Sequence, residues 1–545
     1  MACKREPSLQ SNQIKNQANM KNRRLLIDLM KRAAAVVTAV AMLATSSGFT
    51  FAARPGAERR KSEHAVQRLR HIIVIYQENW SFDSLYGQFP GANGLQHGFD
   101  TLPQYDKATN YTSLIYQAPR PLTGFPLVPD PNFPSSPDGH LAWWADHNVS
   151  LPLAPFDFTN YISADVKTGD IVHRFYTEQL QIDNGALEPK KNDLAKFVTW
   201  SDNPGLVLSY VDATDLPEGR LAQQYTMCDN FFHSAYGGSF LNHQWLIAAQ
   251  TPPWTTAVPS GWSSSYDPAT KVLHDNQLTI DGQYAVNTIQ PAKAPFSPGT
   301  PNPAMRLLIN NTDPSQPGYV VTIGNRMDDA GISWKWYSGG WNVALQNNTQ
   351  AANDPHIIFQ FHHQPFAYFT KYAPFLDAPS ANYTTTPALN PDTTGPNAHL
   401  QDETQFLADL QHNSLPAVSF IKFAGIDNEH PGYTDVVTGQ QHVADIVNAV
   451  RHSNIWNTCA IIVTYDEHGG RWDHVPPPVR TDGWGTGVRV PTIIISPLAR
   501  QGVVDHRQYE TVSILKLLES RFNLQPLSTR DADPAVNDLV DAFTE

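Results

Sequence analysis

Cys459-Ala-Ile-Ile-Val-Thr-Tyr-Asp-Glu-His-Gly-Gly-Arg-Trp-Asp-His474 is the stretch from which the rest of the chain can be read. Ala460 to Val463 form a short apolar, β-branched run, the pattern of a strand buried on both faces of a mostly parallel sheet. The run stops at Asp466, Glu467 and His468, and Gly469-Gly470 lets the backbone turn sharply just beyond them. In open α/β sheets ligands bind outside the carboxyl ends of the strands, so two adjacent carboxylates and an imidazole there mark a candidate site. Carboxylates repel at close range, and a cation that neutralises both is a common reason to gather them in a cleft. The plain alternative is a solvated acidic turn.

A second apolar strand, His71-Ile-Ile-Val-Ile-Tyr-Gln77, is followed by Glu78, Asn79 and Trp80-Ser81-Phe82-Asp83, so two strands end in carboxylates. Further strands are expected at Ile332–Tyr337, Leu415–Lys422 and Val490–Ile495. A short helix is expected to lead into the first of these. Val443, Ile446, Val447 and Val450 fall at helical spacing ahead of the Asp466 strand, and Ile514, Leu517, Leu518 and Phe522 mark an amphipathic terminal helix. Strands and helices alternate and no internal repeat is present, which gives an α/β fold with a mostly parallel central sheet flanked by helices. The 43 prolines and 32 glycines point to long irregular connections. Loop or cap insertions are expected near 95–161, 255–319 and 372–400.

Residues 1–52 read as an export leader. Lys21, Arg23, Arg24, Lys31 and Arg32 precede the apolar run Ala33–Ala44, and Thr50-Phe51-Ala52 offers a small-residue cleavage site. The run is too short for a permanent membrane span. Met20 fits the start of such a leader better than Met1. Arg23-Arg24-Leu25-Leu26 leaves the route open between the general secretory and twin-arginine pathways. The mature protein is expected in the periplasm or outside the cell, with 53–69 as a linker, 70–525 as the catalytic domain and 526–545 as a tail. Eight basic and two acidic residues lie in the leader, so the remainder carries 30 Lys and Arg against 49 Asp and Glu, a net charge of about −19. Nucleic acid is excluded as a partner, because its affinity rests on clustered Lys and Arg. Beyond the leader only Cys228 and Cys459 remain, too few to staple a chain of this size, and both are expected as buried thiols.

Gly237-Gly238 gives a flexible entry to a helical segment at Phe240–Ala249, so Ser239 can cap or open that helix. Exposed amides and the helix dipole favour an anion there, although serine is also an ordinary helix cap. The chain has no Gly-x-x-x-x-Gly-Lys phosphate loop, no His-Glu-x-x-His and no Cys-x-x-Cys, and Gly237-Gly238-Ser239-Phe240-Leu241 lacks the second glycine of a nucleophile elbow. What remains is oxygen-rich: Glu78, Asn79, Asp466 and Glu467, with the Ser239 hydroxyl. Such a donor set suits Mg, Mn, Ca or Zn. Among the 20 histidines, His362, His363 and His430 stand out beside turns that follow apolar stretches, while His468 and His474 are expected to support the Asp466-Glu467 loop.

Five ordered motifs carry a specific resemblance: Glu78-Asn-Trp-Ser-Phe-Asp83, Ser234-Ala-Tyr-Gly-Gly-Ser-Phe-Leu-Asn-His243, His362-His-Gln-Pro365, Asn428-Glu-His-Pro-Gly432 and Thr464-Tyr-Asp-Glu-His-Gly-Gly470. Together they resemble the bacterial phosphoesterases that comprise acid phosphatase A and the non-specific phospholipases C, within the alkaline phosphatase superfamily. The resemblance runs from about residue 70 to 525. It implies an alkaline-phosphatase-like core, one divalent metal ion, and a metal site made by Glu78, Asn79, Asp466, Glu467 and nucleophilic Ser239. It also implies that His173, His362, His363 and His430 meet phosphate or the leaving group. Trp80 replaces an arginine, and Glu467 an aspartate, of the acid phosphatase pattern.

The expected substrate is a small phosphate ester or a phospholipid head group. His362-His363-Gln364-Pro365 with Phe366, Tyr368 and Phe369 resembles the acid phosphatase branch, with the aromatics lining the approach and Trp80 and Trp341 adding apolar wall. That branch implies phosphomonoester hydrolysis, with phospholipase C as the alternative, and an acidic optimum is expected because paired histidines that clamp a phosphate work best when protonated. An exported binding protein with a structural cation would use the same carboxylates without turnover.

Overall fold

The structure, a computed structural model, describes residues 55–95, 154–297, 302–375 and 398–544 apart from a few single positions, with isolated residues between these stretches. The leader at 1–52 and most of 95–161 and 376–397 lie outside the described residues. The chain divides into the compact units Met1–Glu58 and Arg59–Glu545, and the second is described below.

Eight strands make the central sheet: β1 (His71–Gln77), β2 (Thr226–Cys228), β3 (Trp334–Ser338), β4 (Leu400–Asp402), β5 (Val418–Lys422), β6 (Cys459–Tyr465), β7 (Thr492–Ile495) and β8 (Val503–Asp505). Their order is β4-β3-β5-β1-β6-β7-β2-β8. The pairs β4/β3, β3/β5, β5/β1, β1/β6 and β2/β8 are parallel. Strand β7 runs against both neighbours. The sheet is thus mostly parallel, as the unbroken apolar runs predict. All seven residues of β6 are buried, which requires cover on both faces.

Consecutive residues of β1 identify the two covers, because successive side chains point to opposite faces. The Tyr76 hydroxyl donates to the Asn242 carbonyl in helix α3 (Ser239–Ala248) at 3.3 Å. Gln77 Nε2 donates to Glu429 Oε1 at 3.1 Å on the other face. There the Tyr465 hydroxyl lies 3.2 Å from Glu218 Oε2 in helix α2 (Pro217–Gln224), which packs on α4 (Val436–Arg451). Helix α5 (Val512–Phe522) packs on α3.

The structure differs from expectation at both ends of the catalytic region. Most of 53–69, expected as linker, is the helix Pro55–Gln67. The expected tail at 526–545 is packed: Leu539, Val540 and Phe543 are wholly buried, and Arg530 bonds Glu510 Oε2 at 2.8 Å and Asp482 Oδ1 at 2.6 Å. Its apolar residues are too widely spaced for a periodic pattern, and the chain follows the core surface in short turns instead. Cys228 and Cys459 are buried and unpaired.

Arg489, wholly buried, joins the two loops that follow β1 and β6. Its Nη2 lies 2.9 Å from Asp83 Oδ1 and its Nε 2.8 Å from Asp473 Oδ1, while Nη1 donates to the Asp229 carbonyl at 2.6 Å. Removing one member of a buried ion pair costs about 3–5 kcal/mol, because the remaining charge has no solvent. Arg489→Met should therefore lower unfolding free energy by about that amount in urea titration. A loss under about 1 kcal/mol, the scale of an exposed pair, would show that Arg489 is no clamp.

Candidate functional site

The register of β1 on β6 pairs Gln77 with Tyr465, so Glu78-Asn79 and Asp466-Glu467 leave neighbouring strands side by side. Asn79 takes a left-handed conformation with φ 66°. Gly469, at φ 60°, lies so close that a Cβ there would sit 2.4 Å from the Asn79 carbonyl oxygen. Only glycine permits the two loops to meet in this way. Lys422 ends β5 on the other side of β1; its Nζ donates to the Tyr76 carbonyl at 2.8 Å and pairs with Glu78 Oε1.

Ser239 opens the ten-residue helix α3, with Gly238 at the cap position. Of the two roles the sequence allowed, opening the helix is the one observed. Its Oγ lies 3.1 Å from Glu78 Oε2, 3.4 Å from Asn79 Oδ1 and 3.5 Å from Glu467 Oε1. Gly238 packs against the His173 carbonyl, where a Cβ would approach to 2.7 Å, and this close contact brings His173 beside the serine.

Three histidines are aimed by backbone carbonyls. His173 Nδ1 meets the Ile171 carbonyl at 2.5 Å, His430 Nδ1 the Pro431 carbonyl at 2.5 Å, and His243 Nδ1 the Ser239 carbonyl at 2.7 Å. A carbonyl accepts only, so Nδ1 carries the proton and Nε2 faces the site. His430 Nε2 is 3.1 Å from Asn79 Nδ2, and His173 Nε2 is 3.4 Å from the same atom and 3.6 Å from Glu467 Oε1. His363 Nε2 lies 3.3 Å from Glu78 Oε1, and its ring stacks on His243 with centroids 5.0 Å apart. His362 joins the group through an edge contact with His363 at 4.4 Å. All nine residues proposed from the sequence thus belong to one cluster.

The sequence profile of the phosphoesterase family matches residues 69–525. The chain belongs to the phosphoesterase family. Among its relatives, phospholipase C B of Mycobacterium tuberculosis is 24% identical over 502 residues, covering 87% of this chain and 77% of that protein. The non-hemolytic phospholipase C of Pseudomonas aeruginosa is 22% identical over 562 residues, covering 96% of this chain and 63% of that protein. A solved alkaline phosphatase superfamily protein from Vibrio parahaemolyticus is 14% identical with a TM-score of 0.27, covering 59% of this chain and 63% of that one. At that score the likeness adds nothing to the family match. The chain is a hydrolase of phosphoric ester bonds, which removes the reading as a binding protein without turnover. Among the described residues no helix is long and apolar enough to cross a membrane.

Two members of this phosphoesterase cluster escaped the sequence reading. Lys422 was seen only as the end of an expected strand, although a lysine closing a buried parallel strand beside a strand that ends in Glu78 is a signal in itself. His243 lies four residues after Ser239, hence on the same face of α3. Other expectations fail. Phe366, Tyr368 and Phe369 are wholly buried in the core rather than lining an approach; Phe366 packs on Trp334 and the Tyr368 hydroxyl donates to the Ile289 carbonyl at 2.5 Å. Trp80 and Trp341 are buried too, Trp80 with its Nε1 on the Glu429 carbonyl at 3.1 Å beneath the Arg471 guanidinium. Their aromatic surface is taken up by packing and leaves none for a wall. His474 joins the Asp83–Arg489 clamp on the loop after β6, with Nδ1 2.6 Å from Asp83 Oδ2.

Glu78, Asp466 and Glu467 are wholly buried beside a single lysine. Burial and the Asp466 charge push Glu78 up to about 8, and burial raises both Asp466 and Glu467. Asp466 Oδ2 is buried without a hydrogen-bond partner. Glu78, His243 and Asp466 place donor atoms within 4.8 Å of one another. An orphaned carboxylate oxygen among converging acids is what a divalent cation would satisfy, so the donor set fits a metal ion.

Metal and pH should therefore act together on stability. An unfolded glutamate ionises near 4.5, whereas folded Glu78 keeps its proton to about 8. The unfolded chain thus releases a proton earlier, and metal-free protein should lose stability as pH rises through that window. A divalent ion at 100 times its Kd should restore about 2.7 kcal/mol. Melting curves of chelated protein from pH 5 to 8, with and without added Mg, Mn, Ca or Zn, check both effects. Identical curves for chelated and metal-loaded protein would exclude a metal in this cluster.

Proposed function

We propose that this phosphoesterase hydrolyses phosphate monoesters through transient phosphorylation of Ser239. The observation that carries the reading is the Ser239 hydroxyl itself, at the amino end of α3 and 3.1 Å from Glu78 Oε2. The family's reaction needs a nucleophile, and here an oxygen sits where helix amides and the helix dipole favour a phosphoryl group. Glu78, Asn79, Asp466, Glu467 and Ser239 would hold one divalent ion, which when bound neutralises the acids, lowers the serine pKa and draws charge from a phosphoryl oxygen.

With the ion bound and Glu78 held ionised, the Ser239 hydroxyl would pass its proton to Glu78 Oε2, the nearest acceptor. Oγ then bonds to phosphorus as the bond to the alcohol oxygen breaks. His362, His363 and His430 face the transferred oxygens, and His173 delivers the proton to the departing alcohol. His173 suits this role because, against the lowering effect of burial, the Asp170 carboxylate, the Ile171 carbonyl and the charges of Asp466 and Glu78 raise its pKa. Burial lowers the other three, His362 to about 3, so they serve as neutral imidazoles before substrate arrives. Water then gives a proton to His173 as it attacks phosphorus, the Oγ–P bond breaks, the serine takes back its proton from Glu78, and phosphate leaves with both residues restored. The acidic optimum expected from the paired histidines thus rests on His173, which donates while protonated and stops as pH rises through its raised pKa.

The monoester preference is supported by the depth of the site. Ser239 is 5% exposed among wholly buried carboxylates, which suits a phosphoryl group on a small alcohol. A second reading, cleavage of phospholipid head groups, is favoured by the relatives, which bear the name phospholipase C over 87% and 96% of this chain.

Ser239→Ala should lower turnover of p-nitrophenyl phosphate by at least about 10³-fold with an unchanged melting temperature. Wild-type turnover in that variant would exclude Ser239 as nucleophile. Substrate choice is read by comparing p-nitrophenyl phosphate, nucleoside monophosphates and phosphatidylcholine across pH at matched concentrations. Inorganic phosphate should be released faster than phosphocholine; the reverse order would establish the phospholipase C reading instead.

A further inference from the structure

His468, the residue after Glu467, belongs to a separate group with Glu178 and His233. All three are wholly buried, and their donor atoms lie within 4.8 Å of one another. His233 Nδ1 meets the Ala235 carbonyl at 2.8 Å and so carries its proton there. The Nε2 of a neutral His233 then turns a lone pair toward Glu178 Oε1 at 2.9 Å. Two electron-rich atoms at that distance need positive charge between them. A second proton on His233 would meet that need, but it leaves His468 unexplained. Neither ring nitrogen of His468 has a hydrogen-bond partner, and its Nε2 points to the same Glu178 oxygen at 3.5 Å. A buried imidazole with both nitrogens unanswered is rare in native proteins.

One ion answers both observations. We propose that Glu178, His233 and His468 form a buried site for a zinc-like divalent ion, distinct from the cluster around Ser239. Two imidazoles and a carboxylate are a zinc donor set, with metal–ligand bonds of about 2.0–2.2 Å and hence ligand atoms roughly 3.3 Å apart in a tetrahedron. The observed spacings of 2.9 and 3.5 Å from Glu178 Oε1 bracket that value. The carbonyl that fixes the His233 tautomer is the kind of partner that orients a ligating histidine. Gly487 borders the group; a Cβ there would lie 2.1 Å from His233 Nε2 and 2.4 Å from Glu178 Oε1, so any side chain would crowd the donors. The ion would tie helix Phe175–Gln181 to the segment ahead of Ser239 and to the loop after β6.

The test counts bound metal. Chelated protein is loaded with Zn²⁺, freed of excess by gel filtration and measured by elemental mass spectrometry, in wild type, in Asp466→Asn/Glu467→Gln, and in Glu178→Gln/His233→Gln. The last pair should lose one equivalent of zinc relative to wild type and keep losing it in the Asp466→Asn/Glu467→Gln background. This outcome is independent of whether the Ser239 cluster holds a metal. An unchanged zinc count in the Glu178→Gln/His233→Gln protein would overturn the proposal. Should that variant fail to fold, wild-type crystals grown with stoichiometric Zn²⁺ decide: an anomalous peak between the three side chains supports the site, and its absence there overturns it.

Discussion

Three carboxylates share one buried lysine at the carboxyl ends of β1 and β6, and the arrangement around them is ordered by that imbalance. Glu78, Asp466 and Glu467 are taken fully out of water, and Lys422 contacts only the first of them. Burial first, and then the repulsion between the acids, make these carboxyl groups hold protons above their ordinary range. Such a cluster is costly to fold. A metal ion held there would convert that cost into affinity, because a preformed set of repelling oxygens gains more from a cation than a relaxed one.

Holding the acids in place falls to neighbours that take no part in the proposed chemistry. Each acidic pair is preceded by a residue bonded to Glu429: Gln77 Nε2 at 3.1 Å before Glu78, and the Tyr465 hydroxyl at 2.8 Å before Asp466. Burial and the nearby Glu218 raise the Glu429 carboxyl well above its usual range, while Glu218 rises to about 7. The two therefore hold protons to higher pH than exposed glutamates do, which limits the repulsion between them. Arg489 fixes the same two loops a few residues further on, through Asp83 and Asp473. The loops are thus pinned on both sides of the acids, which leaves them little freedom to relax apart.

Much of this was legible in the sequence because the strands are short, apolar and end abruptly. β1 lies where its apolar run predicts, and β6 extends its run by a residue at one end and two at the other. The acids follow at once, so register alone brings them together. The histidines were harder to assign, since their positions depend on contacts distant in sequence: His173 packs closely on Gly238, where a side chain would meet its carbonyl. Lys422 and His243 were missed for a related reason. Each looks ordinary within its own element and gains meaning only from the neighbouring strand or helix. The aromatic residues after His363 were misplaced because an aromatic run reads alike whether it lines a cleft or fills a core.

The histidine tautomers show how far the backbone sets the chemistry. His173, His243 and His430 each spend their Nδ1 proton on a main-chain carbonyl, so each presents an unprotonated Nε2 unless the ring is charged. Burial keeps His243 and His430 neutral, and only His173, beside Asp170, is biased toward the charged form. One cluster thus combines acceptor-like imidazoles with a single proton donor. In the proposed reaction a phosphoryl group entering it would bring negative charge, which would draw protons onto the neutral rings and turn them into donors. The site therefore has no need to hold several positive charges in advance. That matters for folding, because buried imidazolium groups would repel one another before any phosphate arrived, much as the neighbouring carboxylates do.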